Sequence, residues 1–361
     1  MRRSAELDEL DLLLVTALQA TPRADWRRLG QLLGTSASTA ARRWARLTQE
    51  GLAWQSCHPL QLPGISAFAA LIEVDTTARE LYQVAAHLAG DPHVFDVIHL
   101  TGGHGLLVVA GFAGHAQLAR YVGVRLASLD GVTATRAQLA TTIHAEASRW
   151  RADRLPTPPT ARRPIPALAT ATARPPPARA GPDQADLLVM TALGQDPRLP
   201  AAELADRTGL SPTTIARRLA RLQAGQLLAW RTDVARVAAG WPVAVHLWGQ
   251  LPPARTAHIA AQLVTMREVR MCATISGPHN LYLTVWLRTL RHLDAFQARL
   301  AACLPELTIT DRALTLWHLK LGGHLLDPEG RHLRSIPLQL WPDQPAAQAQ
   351  ATIVDRLRRS P

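Results

Sequence analysis

The 361-residue sequence predicts an α+β chain in which one two-domain unit occurs twice: a winged-helix-type helix-turn-helix domain followed by a ferredoxin-like βαββαβ domain. Two observations support this prediction. The segments 11–47 and 186–222 align without a gap at an offset of 175 residues, and 18 of their 37 positions are identical. Beyond each segment the sequence predicts the same order of strands and helices, so the repeat covers roughly 145 residues.

Composition and charge exclude several classes of protein. Apolar residues make up 47% of the chain, which allows sizeable cores and excludes disorder throughout. We find neither an apolar run that could cross a membrane nor a signal peptide, and the three cysteines lie far apart, so we expect a cytoplasmic protein without a disulfide framework or cysteine zinc site. The net charge of +11 is weak evidence for nucleic-acid binding, because the basic residues are almost all arginine, as a GC-rich genome favours.

Changes in composition predict the domain boundaries. The stretch 149–182 holds nine prolines and seven arginines, and proline lacks an N–H group, so this stretch reads as a semi-extended linker. The predicted segments are the first helix-turn-helix domain (1–60), the first βαββαβ domain (65–148), the linker (149–182), the second helix-turn-helix domain (183–240), the second βαββαβ domain (241–325) and a C-terminal tail (326–361).

Three short helices open each copy of the repeat. We predict them at about 8–18, 25–33 and 36–50 in copy one, and at about 183–193, 201–208 and 211–224 in copy two. Gly34 and Gly209 suit the tight turn before the third helix, and Ser36 and Ser211 suit its N-cap. This arrangement is typical of a helix-turn-helix.

The third helix of each copy has one apolar face and one face of arginines and hydroxyl groups. Guanidinium groups bind guanine edges or phosphates and hydroxyl groups reach phosphates, so we predict DNA binding, although an ordinary solvated helix face is the competing interpretation. The outer residues nearly match between copies, which predicts similar half-sites in a near-palindromic operator. The predicted DNA-binding residues are Ser36, Ser38, Thr39, Arg42, Arg43, Arg46, Ser211, Thr213, Thr214, Arg217, Arg218 and Arg221.

The motif Leu210-Ser-Pro-Thr-Thr-Ile-Ala-Arg-Arg-Leu-Ala-Arg-Leu222, and more loosely 36–47, resembles the leucine-responsive regulatory protein/AsnC (Lrp/AsnC) family of prokaryotic transcription regulators. The resemblance implies DNA-binding domains followed by effector and oligomerisation (RAM) domains whose sheets pair face to face. It also implies effectors, often amino acids, at the hairpin between the second and third strands. The corresponding residues here are Thr101, Gly102, His104, Gly105, Ser276, Gly277, His279 and Asn280. The alternative is that these residues only make tight turns.

The expected partners are double-stranded DNA, a small-molecule effector such as an amino acid, and the βαββαβ domains themselves. The two βαββαβ domains are expected to pair within one chain as a pseudo-dimer or between chains as a homo-oligomer. No metal-binding or catalytic spacing is evident, so we expect no cofactor, no metal and no enzymatic activity. Two alternatives stay open: a sirohaem-decarboxylase-like enzyme of the same architecture, and a protein-interaction module that has lost DNA binding.

Overall fold

The computed structural model describes residues 7–59, 68–146, 183–225, 227–336, 338 and 344–359, so the predicted linker 149–182 lies outside the described residues. The chain forms two compact units, Met1–Gly64 with Ala147–Gly240 and Ile65–Glu146 with Trp241–Pro361. Each unit therefore takes one segment from each copy of the repeat. Among the described residues, no helix is both long enough and apolar enough to cross a membrane.

The elements follow the predicted order in both copies, and the α+β fold class is confirmed. The helices are α1 (Glu9–Ala20), α2 (Trp26–Leu33), α3 (Ala37–Gln49), α4 (Leu81–Gly90), α5 (His115–Arg120), α6 (Gln184–Gln195), α7 (Ala201–Thr208), α8 (Pro212–Ala224), α9 (Thr256–Leu263), α10 (Arg291–Cys303) and α11 (Gln344–Arg359). The strands are β1 (Ala53–Pro59), β2 (Phe68–Thr76), β3 (Val94–Leu100), β4 (Leu106–Phe112), β5 (Val132–Ala145), β6 (Leu228–Val234), β7 (Val243–Gln250), β8 (Val269–Ile275), β9 (Leu281–Leu287), β10 (Thr308–Leu321), β11 (His324–Leu326) and β12 (His332–Ser335).

The first unit holds both helix-turn-helix domains, and their helix boundaries lie within two residues of the predicted ones. Gly34 (φ 66°) and Gly209 (φ 70°) adopt the left-handed conformation at the ends of α2 and α7. Ser36 accepts a hydrogen bond from the Thr39 N–H group at the start of α3, and Ser211 caps α8 in the same way. These local signals fix each turn, because glycine tolerates positive φ and the serine side chain satisfies a free N–H group.

The two helix-turn-helix domains pair through strands that the sequence analysis did not assign. β1 and β6 form an antiparallel ribbon in which Gln55 lies opposite Thr232. Arg23 donates hydrogen bonds to the backbone carbonyls of Pro197 and Leu199, at 2.5 and 2.8 Å. Arg198, which the repeat aligns with Arg23, donates to the carbonyls of Pro22 and Ala24, at 2.6 and 2.8 Å. This reciprocity relates the two domains by an approximate twofold axis.

The second unit holds both βαββαβ domains in one sheet. Its strand order is β12-β11-β10-β3-β4-β2-β5-β8-β9-β7, and an additional pairing of β10 with β7 closes eight of the strands into a ring. The last strand of each copy pairs with the second strand of the other copy, as β5 with β8 and β10 with β3. The inner faces of the two halves share one apolar cluster that includes Leu71, Leu107, Trp248 and Tyr282. The predicted face-to-face pairing therefore occurs within one chain.

Two predicted helices begin or end differently in the structure. For the first βαββαβ domain the sequence pattern predicts helices at 77–89 and 117–129. The first of these begins at Leu81 in the structure, and the second is α5 followed by a π-helical segment over Tyr121–Leu126. Gly123 lies inside that segment, and glycine weakens a regular α-helix. β12 and α11 lie in the predicted tail 326–361, and β11 spans the boundary between this tail and the second predicted βαββαβ domain.

In each helix-turn-helix domain an acidic pair at the start of the first helix holds the third helix. Asp8 caps α1, Asp11 lies three residues later, and both accept hydrogen bonds from Arg43, at 2.6 and 2.9 Å. Arg46 donates to Asp11 at 2.5 Å. We call this arrangement the aspartate clamp, and copy two repeats it with Asp183, Asp186, Arg218 and Arg221.

Two of the clamp carboxylates, Asp8 and Asp183, have pKa values below the usual one. The Arg218 guanidinium holds the pKa of Asp183 below its usual value. Burial alone would raise the pKa of Asp8, but the hydrogen bond and charge of Arg43 lower it overall. The Asp11 and Asp186 side chains are at most 1% exposed, so their charges depend on the arginines for compensation.

Replacing a buried clamp carboxylate should destabilise the first unit. In Asp186→Asn the side chain keeps its shape but loses the charge that Arg218 and Arg221 compensate, so we expect the free energy of unfolding to fall by about 2–3 kcal/mol. Asp206→Asn is the matched control, because Asp206 is exposed on α7 and its replacement should change stability by less than about 0.5 kcal/mol. Chemical denaturation of the full chain measures both values, and equal effects of the two substitutions would contradict a structural role for the clamp.

Candidate nucleic-acid interface

The apolar faces of the two third helices are buried as the sequence predicts. Ala40, Trp44 and Leu47 of α3 lie in the core of the first domain, and Ile215 and Leu222 of α8 lie in the core of the second. The opposite faces of both helices are therefore fixed toward the outside of their own domains.

Four of the six arginines predicted to bind DNA form ion pairs in the aspartate clamps. Arg43 and Arg218 have 28% and 18% of their side chains exposed, and Arg46 and Arg221 have 38% and 40%. These ion pairs have a physical cause: positions 43 and 46 face the first turn of α1, where free backbone N–H groups favour carboxylates. The repeat contained this signal, because the Asp-x-x-Asp spacing at 8 and 11 recurs at 183 and 186.

Arg42 and Arg217 differ from the clamped arginines. Both are exposed, and neither forms an ion pair or a hydrogen bond with any residue in the part of the chain that the structure describes. They are equivalent in the repeat and lie on the outer sides of α3 and α8. Each therefore presents a charged guanidinium group to solvent from a helix that the clamp holds in place.

Hydroxyl groups surround the first turn of each third helix. In copy one the Ser36 hydroxyl lies 2.9 Å from that of Ser38 and donates to the Thr39 hydroxyl at 2.8 Å. In copy two the Ser211 hydroxyl donates to that of Thr214 at 2.9 Å, and Thr213 is exposed beside them. Helix N-termini with hydroxyl groups are suited to phosphate oxygens, since both offer hydrogen-bond donors near a positive dipole end.

The two domains differ at the start of the helix before the turn. Copy one has the exposed residues Arg27 and Arg28 there, whereas copy two has Ala202 and Glu203 at the equivalent positions. In helix-turn-helix proteins this helix crosses the phosphate backbone. The sequence analysis did not include Arg27 and Arg28 among the DNA-binding residues. Comparing the charges of equivalent residues in the two copies, which lie 175 positions apart, shows the difference.

The hairpins predicted to bind an effector also join the two copies. The Thr101 hydroxyl accepts a hydrogen bond from the Leu314 N–H group at 2.9 Å. The equivalent Ser276 hydroxyl accepts one from the Leu139 N–H group at 2.8 Å, and the repeat aligns Leu139 with Leu314. These contacts are reciprocal, like those of the helix-turn-helix domains.

The remaining hairpin residues serve the local backbone. Gly102, Gly105 and Gly277 have positive φ angles of 80°, 54° and 106°. The Asn280 side chain bonds to both backbone groups of Leu251. His279 Nδ1 lies 2.8 Å from the Thr310 hydroxyl, while the His104 side chain lies outside what the structure describes. This geometry matches the interpretation in which the hairpins make tight turns, and an effector at these residues stays a prediction.

A buried polar cluster lies on the inner sheet face of copy two. His246 Nδ1 lies 2.6 Å from the Tyr282 hydroxyl, and His246 Nε2 lies 2.9 Å from the Thr315 hydroxyl. Burial raises the pKa of Tyr282 well above its usual range. Copy one has only apolar residues at the equivalent positions: Leu71, Leu107 and Ala140. Within the described residues, no group of three or more histidine, cysteine, aspartate or glutamate side chains is placed to hold a metal ion.

Comparison with known proteins identifies both helix-turn-helix domains. The sequence model of the AsnC-type helix-turn-helix domain family matches residues 7–48 and 183–223 of this chain. An uncharacterized HTH-type transcriptional regulator of Sinorhizobium fredii is 31% identical over 121 residues, which are 32% of this chain and 72% of the relative. One of Pyrococcus horikoshii is 27% identical over 143 residues, which are 39% of this chain and 90% of the relative.

The whole duplicated chain is similar in fold to a solved enzyme. The crystal structure of the siroheme decarboxylase NirDL superimposes with a TM-score of 0.57 at 10% identity, covering 98% of this chain and 100% of that chain. At this identity the likeness shows the fold alone. The family is shown by the two matched helix-turn-helix domains together with the bacterial relative at 31% identity. The chain belongs to the Lrp/AsnC family of HTH-type transcriptional regulators, in tandem-duplicated form.

Proposed function

We propose that one molecule of this AsnC-type transcriptional regulator binds both half-sites of a single operator through its two helix-turn-helix domains. The observation that carries the proposal is the reciprocal pairing of these domains, through the β1–β6 ribbon and the crossed contacts of Arg23 and Arg198. Operators with two related half-sites have the same twofold symmetry. A single chain then supplies what other helix-turn-helix proteins obtain by dimerising.

Within each domain the proposal divides the arginines into two roles. Arg42 and Arg217 contact DNA directly, together with the hydroxyl groups at the start of α3 and α8. The clamped arginines position the third helix, so that it is ordered before DNA arrives and less conformational entropy is lost on binding. Arg27 and Arg28 add phosphate contacts on the copy-one half-site only.

The family resemblance also implies that a small-molecule effector binds at the hairpins. Three of the hairpin side chains that would hold an amino acid, Thr101, Ser276 and Asn280, already have hydrogen-bond partners. A ligand at the hairpins must therefore replace contacts between the two copies, which would couple its binding to the pairing of the βαββαβ domains.

A second candidate function is a sirohaem-decarboxylase-like activity. It is favoured by the fold shared with NirDL, which has also been crystallised in co-complex with an iron-uroporphyrin III analogue. It is also favoured by the buried cluster of His246, Tyr282 and Thr315, which copy one lacks. The exposed arginines on both third helices favour regulation, because guanidinium groups bind guanine edges and phosphates of DNA.

Substitution of the exposed arginines should weaken DNA binding. We expect Arg42→Ala and Arg217→Ala each to raise the Kd for duplex DNA by about 5- to 150-fold, which corresponds to the ~1–3 kcal/mol typical of one base-reading contact. Arg79→Ala is the control, since Arg79 is exposed in the second unit and its loss changes net charge equally. Fluorescence anisotropy at fixed salt measures all three, and equal weakening by the control would show that only bulk charge matters.

The operator should contain two similar half-sites. Because Arg42 and Arg217 are equivalent and the neighbouring hydroxyl groups nearly so, selection from a random DNA library followed by footprinting should yield an inverted repeat with both halves protected. Two unrelated half-sites, or protection of one half only, would contradict the proposed equivalence of the two domains.

Tetrapyrrole titration separates the two candidate functions. On the regulatory proposal, adding iron-uroporphyrin III to the purified full chain produces no saturable change in the absorbance spectrum. A saturable spectral change that His246→Leu abolishes, while Arg217→Ala does not, would favour the enzyme.

A further inference from the structure

The centre of the β1–β6 ribbon joins residues that differ between the two copies. Three cross-strand pairs lie there: Gln55 opposite Thr232, Ser56 opposite Arg231, and Cys57 opposite Trp230. At the offset of 175 Ser56 is the equivalent of Arg231, so the approximate twofold axis that relates the two domains passes through the central pair. By the same offset Gln55 is equivalent to Trp230, and Cys57 to Thr232. Each pair therefore combines two different residues on a symmetric backbone.

The offset of 175 also holds at the entrance to both strands. Leu52 and Leu227 donate backbone hydrogen bonds to the carbonyls of Leu47 and Leu222, at 2.8 and 3.0 Å. These four residues are equivalent in pairs, so the chain leaves the third helix in the same way in both domains. The differences at the centre of the ribbon are therefore differences of side chain and not of register.

The first pair is polar on both strands. The buried Gln55 amide donates to the Thr232 hydroxyl at 2.9 Å, and that hydroxyl donates to the Leu18 carbonyl at 3.2 Å. A buried donor that loses its acceptor is costly. The Gln55 side chain is therefore suited to a partner strand that brings a hydroxyl group.

The third pair is apolar. Cys57 belongs to the apolar cluster of the second helix-turn-helix domain, and Trp230 packs against the same cluster. Burial raises the pKa of the Cys57 thiol well above its usual range, so it stays a small neutral side chain. Trp230 is therefore suited to a partner strand that brings an apolar residue at this position.

The central pair combines a large residue with a small one. Arg231 is buried and forms an ion pair with Asp233, which is fully buried on the same strand. The side chain opposite Arg231 is that of Ser56, which is one of the smallest and is buried as well. The room for one guanidinium group at the axis therefore depends on a serine from the other copy.

A ribbon of two like strands in this register would be mismatched at every central pair. Two β1 strands would place Gln55 opposite Cys57 twice and leave two serines at the axis, so the amide would lose its hydroxyl acceptor and the centre would be underfilled. Two β6 strands would place Trp230 opposite Thr232 twice and bring two arginines together at the axis. Two arginines would overfill the space, and like charges directly opposite each other are destabilising.

We propose that these three pairs make the ribbon an interface that accepts one strand from each copy and excludes two strands of the same kind. Two first domains, or two second domains, of different molecules are then poor partners for each other. Every pair of helix-turn-helix domains contains one of each kind. The inference concerns the pairing alone and does not rest on the proposed DNA contacts.

Single substitutions reproduce the mismatches of like strands within one chain. Ser56→Arg places two arginines at the axis, Cys57→Thr places a hydroxyl group opposite Trp230, and Thr232→Cys removes the acceptor of Gln55. Hydrogen–deuterium exchange of the full chain, followed in peptides that cover 53–59 and 228–234, measures the opening equilibrium of the ribbon. We expect the opening constant to rise at least about 10-fold for Ser56→Arg and Cys57→Thr, and about 2- to 10-fold for Thr232→Cys.

Exchange of the central pair is the decisive experiment. Ser56→Arg combined with Arg231→Ser restores one large and one small residue, and the moved guanidinium group lies diagonally opposite Asp233, within reach of a long side chain. We expect the opening constant to return to within about 3-fold of the wild-type value. Ser56→Arg combined with Arg27→Ser is the matched control, because it has the same composition and net charge but removes an exposed arginine of α2 instead. This control should open as readily as Ser56→Arg alone.

Three outcomes would overturn the proposal. They are an unchanged opening constant in Ser56→Arg, an exchanged pair that opens as readily as the single variant, and equal recovery by the control. If Ser56→Arg unfolds the first unit altogether, recovery of protection by the exchanged pair and its absence in the control still decide between the two readings. Peptides that cover 243–250 in the second unit should keep their protection in every variant and serve as the internal reference.

Discussion

The pairing of each segment with its own duplicate is the constraint on which the rest of the structure depends. In the first unit Arg23 and Arg198 exchange equivalent contacts across the β1–β6 ribbon. In the second unit the hydroxyl groups of Thr101 and Ser276 do the same across the sheet. Because the partners are covalently linked, each pairing is an intramolecular step with a high effective concentration. The ring of eight strands also leaves no edge open within itself.

Duplication within one chain allows the copies to diverge where a homodimer could not. The hydroxyl groups that bond across the sheet stay equivalent, whereas residues of the shared inner face differ: His246 and Tyr282 stand where copy one has Leu71 and Leu107. In a homodimer every substitution appears twice, once in each subunit. A fused pair can place a new site on one side while the other side keeps an apolar core.

Local sequence signals predicted most of the secondary structure but not the contacts between elements. Glycines and serine caps located the helix-turn-helix segments because their effects act within a few residues. The ribbon was missed because Gln55, Thr232 and Asp233 are polar and become buried only through pairing with the other copy. The clamp was missed because a helical wheel gives the direction of Arg43 but not the charge of the helix that faces it. Interactions across long sequence separations therefore account for both the unassigned strands and the reduced number of exposed arginines.

The most direct test of the central claim is the mass of the complex between the full chain and a duplex that carries both half-sites, measured by sedimentation velocity at low ionic strength. Because one molecule carries both DNA-binding helices, α3 and α8, we expect a complex of one 39.3 kDa chain per duplex. This complex should dissociate as salt is added. Two chains per duplex, or no complex even at low ionic strength, would contradict the account.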